Sequence, residues 1–544
     1  MIKKLLILFL FAYQISVSQN TVGNVSITEN AYDGYTLFTI HKITYLINNC
    51  GQVINEWTSN YLPGNAVYLL PNGNLLRAGR EHGSSNITFG GNGGKIELFN
   101  WDGDVIWSYS YNTNNYRQHH DVYPMPNGNI LILAATLVSE EDAISLGRNP
   151  SLLTEGKLYN ERILEVEPIG TNDVNIIWEW NAIDHVIQDF DNTKNNFGVV
   201  ADTPEKLDIN FLNGETPEAN WLHVNSIQYN HKLNQIVISS RNLSEIWVID
   251  HSTTTLEAAS STGGLYGKGG DLLYRWGNPQ SYRQGTEADR KLFGQHTPYF
   301  IEEGLEDEGK ILLFNNGNGR SPSFSEVFII DPPKTNEVYD YTENSSFGPE
   351  TPSYVYSDLS ETPSPFYSPI VSSAQRLPNG NLLICEGVKG YFFEIDSDNN
   401  KVWEYYTPIN QIDGTISNQF DPSPNGMSFR ALKYSKNYMA FNGRDLTPSS
   451  PIENNYNLNP CNALSIDKED VDFVNIYPNP VKDFININIP DNKDYKVEVF
   501  NLLGKKIMEV NNQNKIDFSQ QTGGVYFLKV KSENKIKVIK ILKN

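Results

Sequence analysis

The chain has 544 residues, 39% hydrophobic and 19% charged, with a formal charge of -22, which is the profile of a globular chain long enough for more than one core. Its 42 Lys and Arg stand against 64 Asp and Glu with no dense basic run, which excludes the electrostatic footprint of a nucleic-acid binder. Tyr (30), Phe (25) and Gly (40), with recurrent Asn-Gly pairs, predict an all-β fold of pleated strands and tight hairpins.

Residues 1–18 combine a basic start (Lys3, Lys4), an apolar run from Leu5 to Tyr13 and the small pair Ser16 and Ser18, the pattern of a secretory signal peptide. The run is too short for a membrane-spanning helix, which needs about 20 apolar residues. Past Ser18 no comparable apolar stretch occurs, so the mature chain reads as soluble. Cys50, Cys385 and Cys461 form an odd set without C-x-x-C spacing, so at most one bridge is possible and no zinc site is indicated.

From residue 19 to 446 one phrase recurs: an apolar strand, Pro-Asn-Gly-Asn, and another apolar strand. It stands complete around Pro71 to Asn74, Pro126 to Asn129 and Pro378 to Asn381, where Asn-Gly predicts type I′ hairpins. A second phrase follows most copies, an apolar strand, a polar turn and a strand bearing Trp, as from Ile96 to Trp107 and from Phe392 to Trp403. Two hairpins make a four-stranded blade. Inner strands begin near Ala66, His120, His223, His296, Ser373 and Phe429, which predicts a six-bladed β-propeller, with Ser139 to Glu161 and Val186 to Glu218 as surface insertions. Gly34 to Trp57 supplies outer strands to the blade begun at Phe429, closing the ring. Residues 447–472, rich in Thr, Pro, Ser and Asn at their start, read as a linker.

Residues 473–544 form a second, small β-sandwich domain whose charge reverses: from Val474 onward 12 Lys face 7 Asp and Glu, or +5, leaving -27 on the rest. Val474-Asn475-Ile476-Tyr477-Pro478-Asn479-Pro480, Val497 to Gly504 and Gly523 to Val530 resemble the C-terminal sorting domain of the Bacteroidetes type IX secretion system. The resemblance implies export by that machinery to the cell surface or the medium.

Nine histidines occur, and three stand at the start of successive inner strands: His120, preceded by His119, then His223 and His296. Inner strands line a propeller's channel, so these imidazoles are expected at one point of its mouth. Arg241 follows His223 by eighteen residues, at the end of that blade's second strand, and Arg320 holds a similar place in the next blade. A guanidinium beside clustered imidazoles repels a metal ion but binds an oxyanion through its fork, so the pocket reads as anion-binding, with no metal and no cofactor.

His223-Val224-Asn225-Ser226-Ile227, Ser239-Ser240-Arg241 and Gln295-His296, with the blade text from about Tyr35 to Asp445, resemble the bacterial arylsulfate sulfotransferases. That family passes a sulfuryl group from a phenolic sulfate ester to a phenol through a sulfohistidine, without an adenylated sulfate donor. The resemblance implies His296 as nucleophile, with His120, His223, Asn225 and Arg241 around the sulfuryl and phenol oxygens; His119 and Arg320 join as further substrate contacts. Val224 departs from the polar residue expected there. The physical chemistry agrees: a neutral imidazole attacks sulfur, while Arg241 and a protonated histidine stabilise the developing charge. Competing readings are a quinoprotein-like dehydrogenase, which usually has eight blades, and a non-catalytic surface propeller that binds glycan or protein. Gly94-Lys95-Ile96 and Gly267-Lys268-Gly269 lack the Ser or Thr of a phosphate-binding loop.

Overall fold

The computed structural model describes residues 20–458 other than 84 and 215, Cys461, and residues 474–544 other than 490–493, 502–504 and 533–534; the signal peptide read at 1–18 lies outside them. The chain divides into two compact units, Met1–Cys461 and Asn462–Asn544.

The first unit is a β-propeller. Its described residues form six antiparallel sheets of four or more strands, each of which we call a blade, with the innermost strand first in order, beside two two-stranded pairings. Blade I holds Leu62–Leu69, Leu75–Arg80, Gly94–Phe99 and Val105–Ser110; blade II holds Tyr116–Pro124, Ile130–Ser139, Lys157–Ile169 and Asp173–Asn181. Blade III comprises Val224–Asn230, Gln235–Ser240, Glu245–Asp250 and Tyr274–Trp276, and blade IV His296–Phe300, Ile311–Asn315, Glu326–Ile330 and Tyr354–Tyr356. Blade V is Ser373–Arg376, Leu382–Glu386, Tyr391–Ile395 and Lys401–Tyr406, widened at its outer edge by Gly23–Ile27. Blade VI pairs Ala431–Ser435 with Gly34–Ile40, then Ile43–Ile47 and Val53–Thr58, so strands from both ends of the unit share one sheet. Successive innermost strands abut, and blade VI meets blade I through Gly34–Ile40.

The recurrent tryptophans explain how neighbouring blades hold together. Each outermost-strand indole donates to the third-to-fourth-strand connection of the next blade or its edge: Trp107 to the Asp173 carbonyl (3.1 Å), Trp178 to Thr253 Oγ1 (3.1 Å), Trp276 to the Pro349 carbonyl (2.8 Å), Trp403 to the Asn49 carbonyl (2.7 Å) and Trp57 to the Asn100 carbonyl (2.9 Å). Blade IV, which has no tryptophan in its outer strand, uses the Tyr354 hydroxyl on Asn399 of blade V. A buried indole must find an acceptor for its N–H, so the same residue that fills the gap between blades also fixes their spacing.

The Pro-Asn-Gly-Asn hairpins differ from the expected type I′ turns. Gly73 N donates to the Leu70 carbonyl (2.8 Å), Leu70 N to the Asn74 carbonyl (2.8 Å), and only the glycine takes positive φ, 86° at Gly73 and likewise 91° at Gly128 and 88° at Gly380. This is a type I turn closed by a left-handed glycine. Proline is the cause: its fixed φ suits the second position of a type I turn, which moves Asn-Gly one place along.

The insertions are less superficial than the sequence suggested. Val186, Leu207 and Ile209 are buried in the core shared by blades II and III. The segment read as linker also starts later than expected: Ser449 N bonds the Val53 carbonyl (2.8 Å), Pro451 pairs with Gln52, Ile452 is buried, and Cys461 forms a disulfide with Cys50. An edge strand with free carbonyls, Val53–Thr58, accepts this polar chain. The second unit packs Asn475–Tyr477, Phe484–Asn488 and Lys515–Asp517 as one sheet and Lys506–Asn511, Tyr495–Asn501, Gly524–Ser532 and Lys535–Lys543 as another. Alternation in Gly524–Ser532 turns Tyr526, Leu528 and Val530 into the core between them.

Candidate active site

Bulges at the start of the inner strands build the site. In blade III the ladder runs from Val224↔Ser240 to Ile227↔Ile238, and in blade IV from His296↔Phe314 to Tyr299↔Leu312, each with one extra residue. Blade II skips from Gln118↔Ala134 to Val122↔Ile132 around His119, His120 and Asp121. His120 (φ 51°), His223 (47°) and Thr297 (51°) take left-handed backbone here, an unfavourable conformation for non-glycine residues that the surrounding network must hold. Amide groups freed by the bulges bond to the preceding blade: Ile227 N donates to Asp121 Oδ2 (3.2 Å) and Thr297 N to Ser226 Oγ (3.1 Å).

The three histidines converge but are not equivalent. Val224 and His296 occupy the same ladder position, the last pair before the bulge, which puts His223 one residue outside the register of His296. The His120 and His223 rings lie 4.9 Å apart, and the charge of Arg241 reaches His120, His223 and His296 alike. Arg241 N donates to the His223 carbonyl (3.1 Å), and its side chain passes close to Gly294, two residues before His296. Val224, fully buried, contributes its backbone N–H to Glu161 Oε1 (2.9 Å).

Hydrogen-bond logic assigns the ring protons. Asn316 Nδ2 donates to the carbonyls of Ser368 (2.7 Å) and Val371 (2.8 Å), so its Oδ1 must be the atom facing His296 Nδ1 at 2.7 Å. His296 Nδ1 therefore carries the proton, shared with the Gly294 carbonyl (3.1 Å), and Nε2 keeps its lone pair. On the other side Glu161 Oε2 accepts from His119 Nε2 (3.0 Å); His119 Nδ1, 3.0 Å from His120 Nδ1, is then the acceptor and His120 Nδ1 the donor. His120 Nε2 is left as a base. His223 accepts at Nδ1 from Asn220 Nδ2 (2.5 Å), which leaves its Nε2–H as a donor. The pocket thus presents two imidazole lone pairs, one imidazole N–H and one guanidinium.

All three imidazoles are neutral at pH 7. Burial, then the charges of His223, His119, His296 and Arg241, holds His120 well below the usual imidazole range; burial and Arg241 do the same for His223. Burial also dominates at His296, pushing it down to about 3, although its bonds to Asn316 and Gly294 favour the proton. The expected protonated histidine is absent from this arrangement, because desolvation outweighs every term that would charge one, and the fixed positive charge is that of Arg241. The unfolded chain protonates these histidines near pH 6.5 while the folded chain does not, so the unfolded state binds more protons below that value. Stability contributed here is complete above about pH 6.5 and is expected to fall as pH drops toward 3; Tm measured against pH should show a shallower decline for His296→Asn than for the native chain.

The remaining candidates separate. Asn225 is fully buried and braces the segment that carries His296, its Nδ2 donating to the Gln295 carbonyl (2.8 Å), while Gln295 Nε2 anchors to Ser239 Oγ, the Ser240 carbonyl and the Glu245 carbonyl. His119 is buried behind His120 and orients it. Arg320 is placed apart from these contacts: Glu326 (2.7 Å) and the Phe324 carbonyl take up its fork, and Phe293 and Phe324 flank its plane, so the hairpin's own acid neutralises the charge expected to meet substrate.

Four residues that matter here escaped the sequence reading. Asn316 sits in a polar Asn-Gly loop, Glu161 and Asn220 lie at insertion ends, and Phe89 belongs to a blade I loop that packs its ring 4.9 to 6.2 Å from His119, His120 and His223. The Phe89-Gly90-Gly91 text was the available signal: a Cβ at Gly91 would fall 2.1 Å from His120 Nε2, at φ 76°, so glycine is required for the loop to close over the ring. Among the described residues no group of three or more His, Cys, Asp or Glu is arranged to hold a metal ion.

These features define a β-propeller whose channel mouth gathers neutral imidazoles around one arginine. A family model described as Arylsulfotransferase (ASST) matches residues 38–439, well over half of the chain, and the chain belongs to that family. A second, Secretion system C-terminal sorting domain, matches residues 475–544 and supports export to the cell surface or the medium. Ulvan lyase NLR42 of Nonlabens ulvanivorans is 30% identical over 155 residues, 27% of this chain and 26% of that protein, so the chain matches about a quarter of this relative's length. A protein of unknown function from Bacteroides caccae superposes with TM-score 0.39 at 13% identity over 74% of this chain and 98% of that one. Selenomethionine-substituted virginiamycin B lyase from Staphylococcus aureus gives TM-score 0.31 at 11% identity, covering 72% and 89% respectively.

Proposed function

We propose that the propeller transfers a sulfuryl group from a phenolic sulfate ester to a phenol through a sulfohistidine at His296, and that the chain leaves the cell through type IX secretion. The observation that carries this reading is the Asn316 amide, whose two donated bonds oblige it to accept from His296 Nδ1 and so leave Nε2 as a free nucleophile on a neutral ring. In the first half-reaction the Nε2–S bond forms as the S–O bond to the aryl group breaks, and the electron pair leaves with the aryl oxide. Arg241 balances charge on the sulfuryl oxygens, and the His223 Nε2–H is a donor for the departing oxygen. In the second half-reaction the acceptor phenol attacks sulfur, His120 Nε2 takes its proton, and His296 Nε2 leaves with the pair. Splitting one displacement into two is the benefit of a covalent nucleophile.

The test is direct. Incubated with 4-nitrophenyl sulfate and no acceptor, the protein should release a burst of nitrophenol and acquire a mass of about 80 Da, that of SO₃, on the peptide containing His296, with parallel double-reciprocal lines when both substrates vary. Intersecting lines without burst or adduct would show direct transfer between donor and acceptor and overturn the covalent route.

A further inference from the structure

A cavity of about 730 Å³ opens at the other end of the channel, lined by the far ends of the inner strands and by the Pro-Asn-Gly turns. Its size falls among small-molecule sites. The Asp121–Arg430 ion pair (2.6 Å), with Tyr68 against the guanidinium, stands in the channel between this cavity and the histidines; Arg430 in turn stacks on Phe429, which touches His296. The cavity is therefore a separate space from the site already described.

Its walls are aromatic. Tyr68, Tyr123, Tyr299, Tyr434 and Tyr438 line it, and their hydroxyls are turned to the protein: Tyr434 Oη accepts from Leu69 N (3.0 Å), Tyr438 Oη donates to the Leu69 carbonyl (2.9 Å) and Tyr299 Oη accepts from Arg376 N (2.6 Å). Anchored at their tips, the rings form rigid walls that lose no side-chain freedom on binding. Most charges that line the cavity are already matched: Arg430 by Asp121, Lys433 by Glu394 (2.8 Å), and Arg376 by Asp307 (2.5 Å). Glu302 differs, for it has no ion-pair partner among the described residues, and its carboxylate lies within electrostatic reach of Tyr123, Tyr299, Tyr434 and Tyr438. His231 is the one basic group whose charge reaches it. Glu302 is exposed to water, although desolvation by the surrounding protein raises its pKa.

Four tyrosine rings beside one carboxylate without an ion-pair partner are the elements of a cation receptor, because ring faces and a carboxylate both favour positive charge while excluding anions; the fifth ring, Tyr68, already lies against Arg430. We propose that this cavity binds an organic ammonium ion with an apolar body, held against the tyrosine rings and balanced by Glu302. A neutral saccharide would stack on the rings and donate to Glu302 but bring no charge to balance it.

Isothermal titration of the full chain with choline, and with its uncharged carbon isostere 3,3-dimethylbutan-1-ol, separates the cases. Saturable binding of one choline per chain is expected, with the isostere at least about tenfold weaker. Glu302→Gln should weaken choline about tenfold and leave the isostere unchanged; Tyr438→Phe should keep binding and Tyr438→Leu lose it, with Tm confirming the fold of each. His296→Asn should bind choline as the native chain does. No saturable choline binding, equal binding of the two probes, indifference to Glu302→Gln, or loss in His296→Asn would each overturn the assignment; the first three leave the sulfuryl-transfer reading intact.

Discussion

His296→Asn is expected to abolish both half-reactions, by at least about 10⁴-fold, because the amide has no lone pair able to attack sulfur and the other imidazole lone pair, on His120, is placed to take the acceptor's proton. The informative comparison is with residues that only serve the nucleophile. Asn316→Ala removes the acceptor that holds the proton on Nδ1 and strips the Ser368 and Val371 carbonyls of their donor. It should slow adduct formation by about 10²-fold with little change in KM, since substrate contacts are untouched and only the reactive tautomer and ring orientation are lost. Arg241→Lys should cost a similar factor by another route, since an ammonium offers no bidentate fork to the sulfuryl oxygens. Single-turnover rates of nitrophenol release, followed against donor concentration, separate the three: His296→Asn shows no burst, Asn316→Ala lowers only the maximal rate, and Arg241→Lys also weakens donor binding. If Asn316→Ala formed adduct at the native rate, the tautomer argument would fail even with His296 as nucleophile.

How far the sequence carries toward this site depends on which kind of contact each residue makes. Strand phrases and their tryptophans are local and repeated, and their spacing exposes the blades; the indole-to-carbonyl bonds between blades then follow from a requirement every buried Trp N–H has. His120, His223, His296 and Arg241 stand out because rare residue types fall at strand starts and ends. Asn316 and Glu161 do not stand out, because each acts from another strand of the same blade on a partner 20 or 42 residues away, and Asn220 acts three residues before His223 through an amide common in turns. The turn type was misread for a local reason, proline's claim on the second turn position. The equivalence of the histidines was misread for a longer-range one: a single bulge residue shifts His223 against His296, and no sequence pattern announces where a bulge falls. Arg320 looked like Arg241 by position, and only the neighbouring Glu326 decides that its charge is spent at home.

Reduction of the native chain is expected to lower its unfolding midpoint by about 6 °C. Three cysteines left the pairing open in the sequence; the structure joins Cys50 to Cys461 and buries Cys385 in blade V, where desolvation pushes its thiol far up. Cys50 sits in the hairpin between Ile43–Ile47 and Val53–Thr58, and Cys461 ends the segment that follows the closing strand Ala431–Ser435. The bond therefore ties the two ends of the propeller unit across blade VI, whose joint is otherwise the five-pair ladder from Gly34↔Ser435 to Phe38↔Ala431 and the bonds of residues 449–451 to the edge strand. It spans 411 residues, and the chain-entropy cost that such a loop removes from the unfolded state is about 6 kcal/mol. For a propeller of this size the unfolding entropy converts that to roughly 6 °C. Cys50→Ser, Cys461→Ser and the double variant should share one midpoint, each insensitive to reductant, because all three remove the same bond. Cys385→Ala should instead lose stability through a small cavity and keep its response to reductant. A native midpoint indifferent to reductant would show that the non-covalent contacts of blade VI hold the two ends without help from the disulfide.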